Sequence, residues 1–167
     1  MRADERLYVT CAKRGWELRS ATAYEWLNAV ARDPDRLSGI FPGMIRLGDV
    51  EAMLAAMEMF DDIERRWLNT ARKTLGYASG RDWWRALNLI QVCVQEWTFI
   101  NGVLLLKGCD ARKMVLPAWL DAAYIAKVKN MKEDEFKRFE FDLDKVPAGA
   151  TGGGAAARRA LAAFAAD

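Results

Sequence analysis

The longest apolar stretch of the chain runs from Ser79 to Gly108, SGRDWWRALNLIQVCVQEWTFINGVLLLKG. Within it Arg85, Asn88, Gln91, Gln95, Thr98 and Asn101 recur at steps of three or four. That spacing puts one polar residue on each turn of a single helical face and leaves the other faces apolar, so those must be covered by protein. Ser79, with Asp82 three residues later, reads as a cap that satisfies the first free amides and faces the positive helix end. Lys107 and Gly108 supply a cation for the negative end and a residue that enters the left-handed cap conformation without strain. The pattern predicts one long, buried central helix over 79–108.

The other elements follow from shorter patterns. Leu7, Val9 and Cys11 alternate before Lys13-Arg14-Gly15, and Trp16 and Leu18 alternate after it. This predicts a short β-hairpin within residues 1–20, although a frayed helix explains much of the same pattern. A two-stranded ribbon is marginal alone and must lie on the helices. Thr22 and Glu25 form a capping box ahead of Trp26, Leu27 and Val30, and Asp33-Pro34 stops that helix. Leu37, Ile40 and Phe41 lead through an apolar loop to the turn pair Pro42-Gly43. Asp49 caps a helix with Val50, Met53, Leu54 and Met57 on one face. Asp61 or Asp62 starts the next, with Ile63, Trp67, Ala71 and Leu75 on one side and Gly76 as its stop. Beyond Gly108, Asp110 caps a single turn, and Pro117 suits the first position of a helix lined by Leu120, Tyr124, Val128 and Met131. Glu133, Asp134 and Glu135 lead a last helix with Phe136, Phe139 and Leu143 as its apolar face, and Pro147 ends the fold. The expectation is a mainly α, compact bundle of about six helices in one domain over 1–147. A Gly/Ala-rich flexible tail follows over 148–167.

Composition narrows the function classes. The 167 residues are 52% hydrophobic and 29% charged, which is the balance of a globular chain. The net charge is only +2, from 25 basic and 23 acidic side chains mixed along the chain, so no stretch concentrates cations as a nucleic-acid or anionic-membrane surface does. Three cysteines without C-x-x-C spacing offer neither a disulfide framework nor a zinc site. The absence of histidine excludes Ser-His-Asp and Cys-His nucleophiles and imidazole acid–base chemistry. The N-terminal stretch MRADERLYV lacks the apolar core of a signal peptide. Residues 83–106 have the length of a membrane span, but Arg85 and Glu96 would each cost about 2.5–3.5 kcal/mol at its centre, so burial in protein is the better reading. A cytoplasmic protein is expected.

Candidate sites compete with plain structural roles. Trp83, Trp84, Trp97 and Trp119 lack the cationic groove of a base-stacking platform and read as core, with Trp84 an anchor for protein contact. The acidic groups at Asp61-Asp62 and Glu133–Glu135 sit at helix starts, where carboxylates serve the amides and the dipole rather than a metal. The uncharged polar face carrying Gln91 and Gln95 has two readings. It is an internal network tying the helix to the hairpin or the Pro42-Gly43 loop, which is preferred, or a surface covered by a partner. Cys93 reads as a small core residue. No residue is assigned a catalytic, cofactor-binding or metal-ligating role, and no enzymatic activity is expected.

Several segments resemble the tail assembly chaperones of long-tailed double-stranded DNA phages of actinobacteria. They are TAYEWLNAV (22–30), IFPGM (40–44), GRDWWRALNLI (80–90), WTFINGVLLLKG (97–108), WLDAAY (119–124) and the M-x-x-x-E-x-x-x-F spacing from Met131 to Phe139. The likeness covers most of 22–147 in order. It implies a small, mostly helical protein of the host cytoplasm that binds the long helical tape-measure protein, keeps it soluble, recruits tail-tube subunits and is absent from the mature virion. Such proteins are often made in a short form and a frameshifted longer form, and a Gly/Ala tail suits a junction of that kind. The resemblance carries over no contact residue. A protein of this type needs exposed, adaptable apolar side chains, for which Met53, Met57 and Met59 are candidates, with ordinary core packing of Met53 and Met57 the competing role. The alternative function is a structural virion protein such as a head–tail connector or tail-completion component.

Overall fold

The computed structural model describes residues 7–11, 14–18, 21–32, 55 and 63–146. Two antiparallel strands, β1 (Leu7–Cys11) and β2 (Arg14–Leu18), precede six described helices. The helices are α1 (Ala23–Arg32), α2 (Ile63–Ser79), α3 (Trp83–Gln95), α4 (Trp97–Leu106), α5 (Leu116–Val128) and α6 (Glu133–Leu143). In the strand pair Leu7 faces Leu18 and Thr10 faces Gly15, so Gly15 lies within β2 rather than in the turn. β1 rests against α2. The helix expected around Met53 and Met57 lies outside the described residues, as do the Pro42-Gly43 loop, Pro147 and the tail.

The start of α1 shows how local chemistry and packing combine. The Thr22 amide donates to Glu25 Oε2 at 2.9 Å, and the Glu25 amide donates to Thr22 Oγ1 at 3.4 Å, a reciprocal capping box. The next two amides, of Ala23 and Tyr24, donate to the carbonyls of Met114 and Ala111 at 2.9 and 3.0 Å. Thr22 also bridges Val115, so the segment before α5 satisfies donors that α1 cannot satisfy itself. Trp26, Leu27 and Val30 are then delivered into the core.

α2 continues past the expected stop at Gly76 and ends at Ser79, with Gly80 making the left-handed turn at φ 66°. Gly76 has a packing role instead. A Cβ there would lie 3.3 Å from the Arg81 carbonyl oxygen and 3.5 Å from the Trp83 Cβ, so glycine lets the start of α3 approach closely. The expected cap at Ser79 is also corrected. Its hydroxyl donates to the Gly76 carbonyl at 3.3 Å and accepts from the Arg81 amide at 3.3 Å, closing α2 rather than opening the next helix.

α3 is the element the others surround. It packs against α1, α2, α5 and α6, and buries Ala86, Leu87, Leu89, Ile90 and Cys93. The single helix expected over 79–108 is not what forms. The chain bends by 92° between α3 and α4, at Glu96. The cause lies in other segments. The Lys127 ammonium on α5 holds both carboxylate oxygens of Glu96, and Trp97 stacks on Trp119 of α5 with centroids 6.1 Å apart and meets Tyr24 of α1 at 6.2 Å. A straight helix would carry Trp97 away from both rings. Among the described residues no single helix is long and apolar enough to cross a membrane, and the pair that passes on composition is this bent one.

α4 ends as its residues predict. Lys107 is the cap, Gly108 takes φ 76°, and the amides of Gly108 and Cys109 donate to the carbonyls of Leu105 and Leu104 at 3.0 and 2.9 Å. α5 carries Pro117 in its first turn and buries Leu116, Trp119, Leu120 and Ala123. On α6 only Phe139 and Leu143 are buried, and Phe136, expected on the same apolar face, is exposed. The helix meets the core through its last two turns, and Phe136 lies one turn ahead of that contact.

Candidate functional site

The polar face of α3 is occupied by α6. Arg85 pairs with Glu140 at 2.7 Å and with Asp144. The hydrogen bond that Arg85 donates to Glu140 raises the guanidinium's pKa, against the opposing effect of partial burial. Asn88 Nδ2 donates to the carbonyls of Asp142, Leu143 and Lys145 at 2.9–3.3 Å, the first two at the end of α6 and the third just beyond it. Tyr124 donates to Glu140 at 2.8 Å, and its phenol pKa is raised by burial first and by that bond second. An internal network therefore exists at Arg85 and Asn88, but it ties α3 to α6 and not to the strand pair. A helix C-terminus needs donors, and the Asn88 amide is placed to supply them. Asn88→Ala is expected to lower the unfolding free energy by about 1–2 kcal/mol. Hydrogen exchange should show amides of the last turn of α6 exchanging faster while those of α3 keep their protection, and uniform loss across both helices would refute the capping role.

Of the residues singled out for protein contact, Trp84, Gln91 and Gln95 share the face of α3 that carries Asn88. Trp84 is half-buried and meets Trp83 edge-on with centroids 5.9 Å apart. Gln91 is half-buried and Gln95 exposed. Met53, Met57 and Met59 lie outside the described residues. Trp83 itself packs on the core under the Arg72 guanidinium, 4.5 Å from its ring centroid.

A cleft of about 410 Å³ opens between α3, α5 and α6, lined by Val92, Glu96, Lys127, Met131, Arg138 and Phe139 among others. Of its charged lining, Glu96 and Lys127 are spent on each other, and Asp134, Glu135, Arg138 and Asp142 come from α6. Among the described residues no three His, Cys, Asp or Glu side chains converge to hold a metal. Cys93 is fully buried, and burial raises its thiol pKa to about 12, so it carries no nucleophilic thiolate.

The feature the sequence pattern did not expose is the outer face of α4. At about 100° per residue, Thr98, Phe99, Gly102, Leu105 and Leu106 span an arc of about 120° centred on Gly102. Ile100 and Leu104, on the opposite side, are buried against the core. Phe99 is 60% exposed, Leu105 49% and Leu106 91%. A Cβ placed on Gly102 would meet nothing within 4 Å, so the middle of the arc is an open notch. The expectation that protein covers every apolar face of 79–108 therefore fails on α4. The bend turns this helix onto α5, which covers one side only. A helix that is apolar all round normally has all its sides covered, so this open one is the clearest candidate contact surface among the described residues. The signal for it was present in the run Val103–Leu106, where the apolar positions exceed what one buried face can use.

Comparison of the chain with protein-family models, with curated proteins and with solved structures finds no match.

Proposed function

We propose that this chain is a tail assembly chaperone of a long-tailed phage, acting in the host cytoplasm to hold the tape-measure protein soluble during tail assembly. The observation that carries the reading is the open apolar face of α4 at Phe99, Leu105 and Leu106 on an otherwise ordinary helical core. A chaperone of this kind does its work by reversible coverage of apolar helical stripes, which calls for such a face and for no reacting groups. The segments that resemble the family include WTFINGVLLLKG, in which this face lies. No catalytic role is assigned to any residue.

Two measurements test the proposal together. The chain is expected to co-purify with a tape-measure fragment on co-expression and to be missing from purified virions. Stoichiometric copies in the finished particle would reassign it to the structural class, as a connector or tail-completion component.

A further inference from the structure

We infer that the outer face of α4 docks one amphipathic helix of a partner protein, crossing at Gly102, with the partner's acidic residues toward the end of α4 marked by Lys107. The inference rests on the reading of the chain as a binding protein and adds the surface, the crossing point and the partner's charge pattern.

Three observations select this occupant. The first is the notch. Packed helix axes lie about 8–10 Å apart, and a residue without a side chain at the crossing point lets the backbones reach the short end of that range. Gly102 sits at the centre of the exposed arc with open space above it, and Phe99 and Leu106 rise on one side with Leu105 on the other. A partner helix finds ridges and a groove there, whereas a bilayer of flexible chains gains nothing from a notch. The second is charge. Lys107, the residue that caps α4 directly after Leu106, is exposed, whereas the Arg112 guanidinium lies over the Tyr24 ring of α1, 5.3 Å from its centroid. The nearest acid in sequence, Asp110, has its carboxylate turned onto the Arg112 backbone amide at 2.9 Å. At the other end Gln95 is neutral and Glu96 is held by Lys127. The surface is thus apolar in the middle and cationic at one end, which sets the direction of an acidic-ended partner. The third is size. Ten residues of α4 extend about 15 Å, and with a helix about 10 Å wide the patch falls well short of the roughly 800 Å² per partner that a stable dimer buries. A second copy of this chain is poorly served by so small a face, and a single helix released in turn suits it.

The test uses the full chain and two fluorescein-labelled peptides of about 15 residues, stapled because helices that short are marginal in water. Both carry the same Leu/Ala stripe. One ends in three glutamates and the other in three lysines. The acidic peptide is expected to bind at least about tenfold more tightly by fluorescence anisotropy, with the advantage shrinking as salt is raised. Leu106→Glu should weaken it by about tenfold or more through loss of the most exposed anchor. Gly102→Leu should weaken it similarly while leaving the thermal midpoint unchanged or higher, because the site has room and leucine is the better helix former. Equal binding of the two peptides, no binding, or indifference to both substitutions overturns the inference. So does a dimer of the chain alone that Leu106→Glu dissolves, or capture by phosphatidylglycerol vesicles that the acidic peptide fails to displace. If the peptides fail while the Leu106→Glu chain still co-purifies with a tape-measure fragment, the docking site is wrong and the chaperone reading stands.

Discussion

Trp119→Ala is expected to lower the unfolding free energy by about 3–5 kcal/mol, a large part of the about 5–15 kcal/mol that holds a domain of this size together. Trp119 is fully buried on α5 and stacks on Trp97, and Trp97 in turn meets Tyr24. Three elements that are distant in sequence, α1, α4 and α5, are joined by that row of rings. Removing Trp119, the buried end of the row, leaves a cavity that rigid helices cannot close, and it frees Trp97 and with it the direction of α4. The indole Nε1 of Trp119 has no hydrogen-bond partner in its buried position. Trp119→Phe therefore removes an unsatisfied donor along with the ring volume, and its cost should be at most about half that of the alanine variant. Guanidinium denaturation of the three proteins, followed by far-UV circular dichroism, gives the comparison. An alanine variant within about 1 kcal/mol of the parent would mean that the aromatic row is not a support of the fold. A second consequence links stability to binding. Because the bend that exposes Phe99 and Leu106 depends on Trp97 resting on Trp119, the alanine variant should also bind the acidic peptide less well than its residual stability alone explains.

What could be read ahead of the structure divides by the range of the forces involved. Thr22 with Glu25, Lys107 with Gly108, and Pro117 are backbone chemistry confined to one turn, and each does in the fold what its residue type predicts. Gly76 is not the helix stop its residue type suggests, because Arg81 and Trp83 approach it across two helices, which spacing does not encode. The bend at Glu96 was invisible for the same reason. Its causes, Lys127 and Trp119, arrive from more than twenty residues downstream. Asn88 was recognised as a polar residue needing partners, but only the arrival of α6 names them. The outer face of α4 fails differently. Periodicity separates a buried face from an exposed one when the two differ in polarity, and along Phe99–Leu106 both are apolar. Trp84, Gln91 and Gln95 fall on the face of α3 that α6 approaches, and the stronger apolar surface belongs to the neighbouring helix.

Stability above pH 9 should fall more steeply in the parent chain than in Cys93→Ala. The Cys93 thiol is fully buried on α3, and burial first, then the nearby Glu96 carboxylate, raises its pKa to about 12, with the Lys127 ammonium opposing weakly. In the unfolded chain a thiol ionises near about 8.5. The folded-state pKa thus lies above the unfolded one, so the folded state binds the proton more tightly. The contribution is complete below about pH 8.5 and is lost as pH rises toward 12, at about 1.4 kcal/mol per pH unit, or about 3 kcal/mol by pH 11. Cys93→Ala removes the titration and a buried sulfur, costing about 1–2 kcal/mol at neutral pH. The two stability curves are therefore expected to converge above pH 9 and to cross near about pH 10. Tyr124, whose phenol pKa is also raised, is present in both proteins and cancels from the difference. Urea midpoints of the pair measured from pH 7 to about 11 decide the point. Parallel curves would mean that the core opens to water around Cys93 before its thiol ionises, and that α3 is a looser centre than its packing implies.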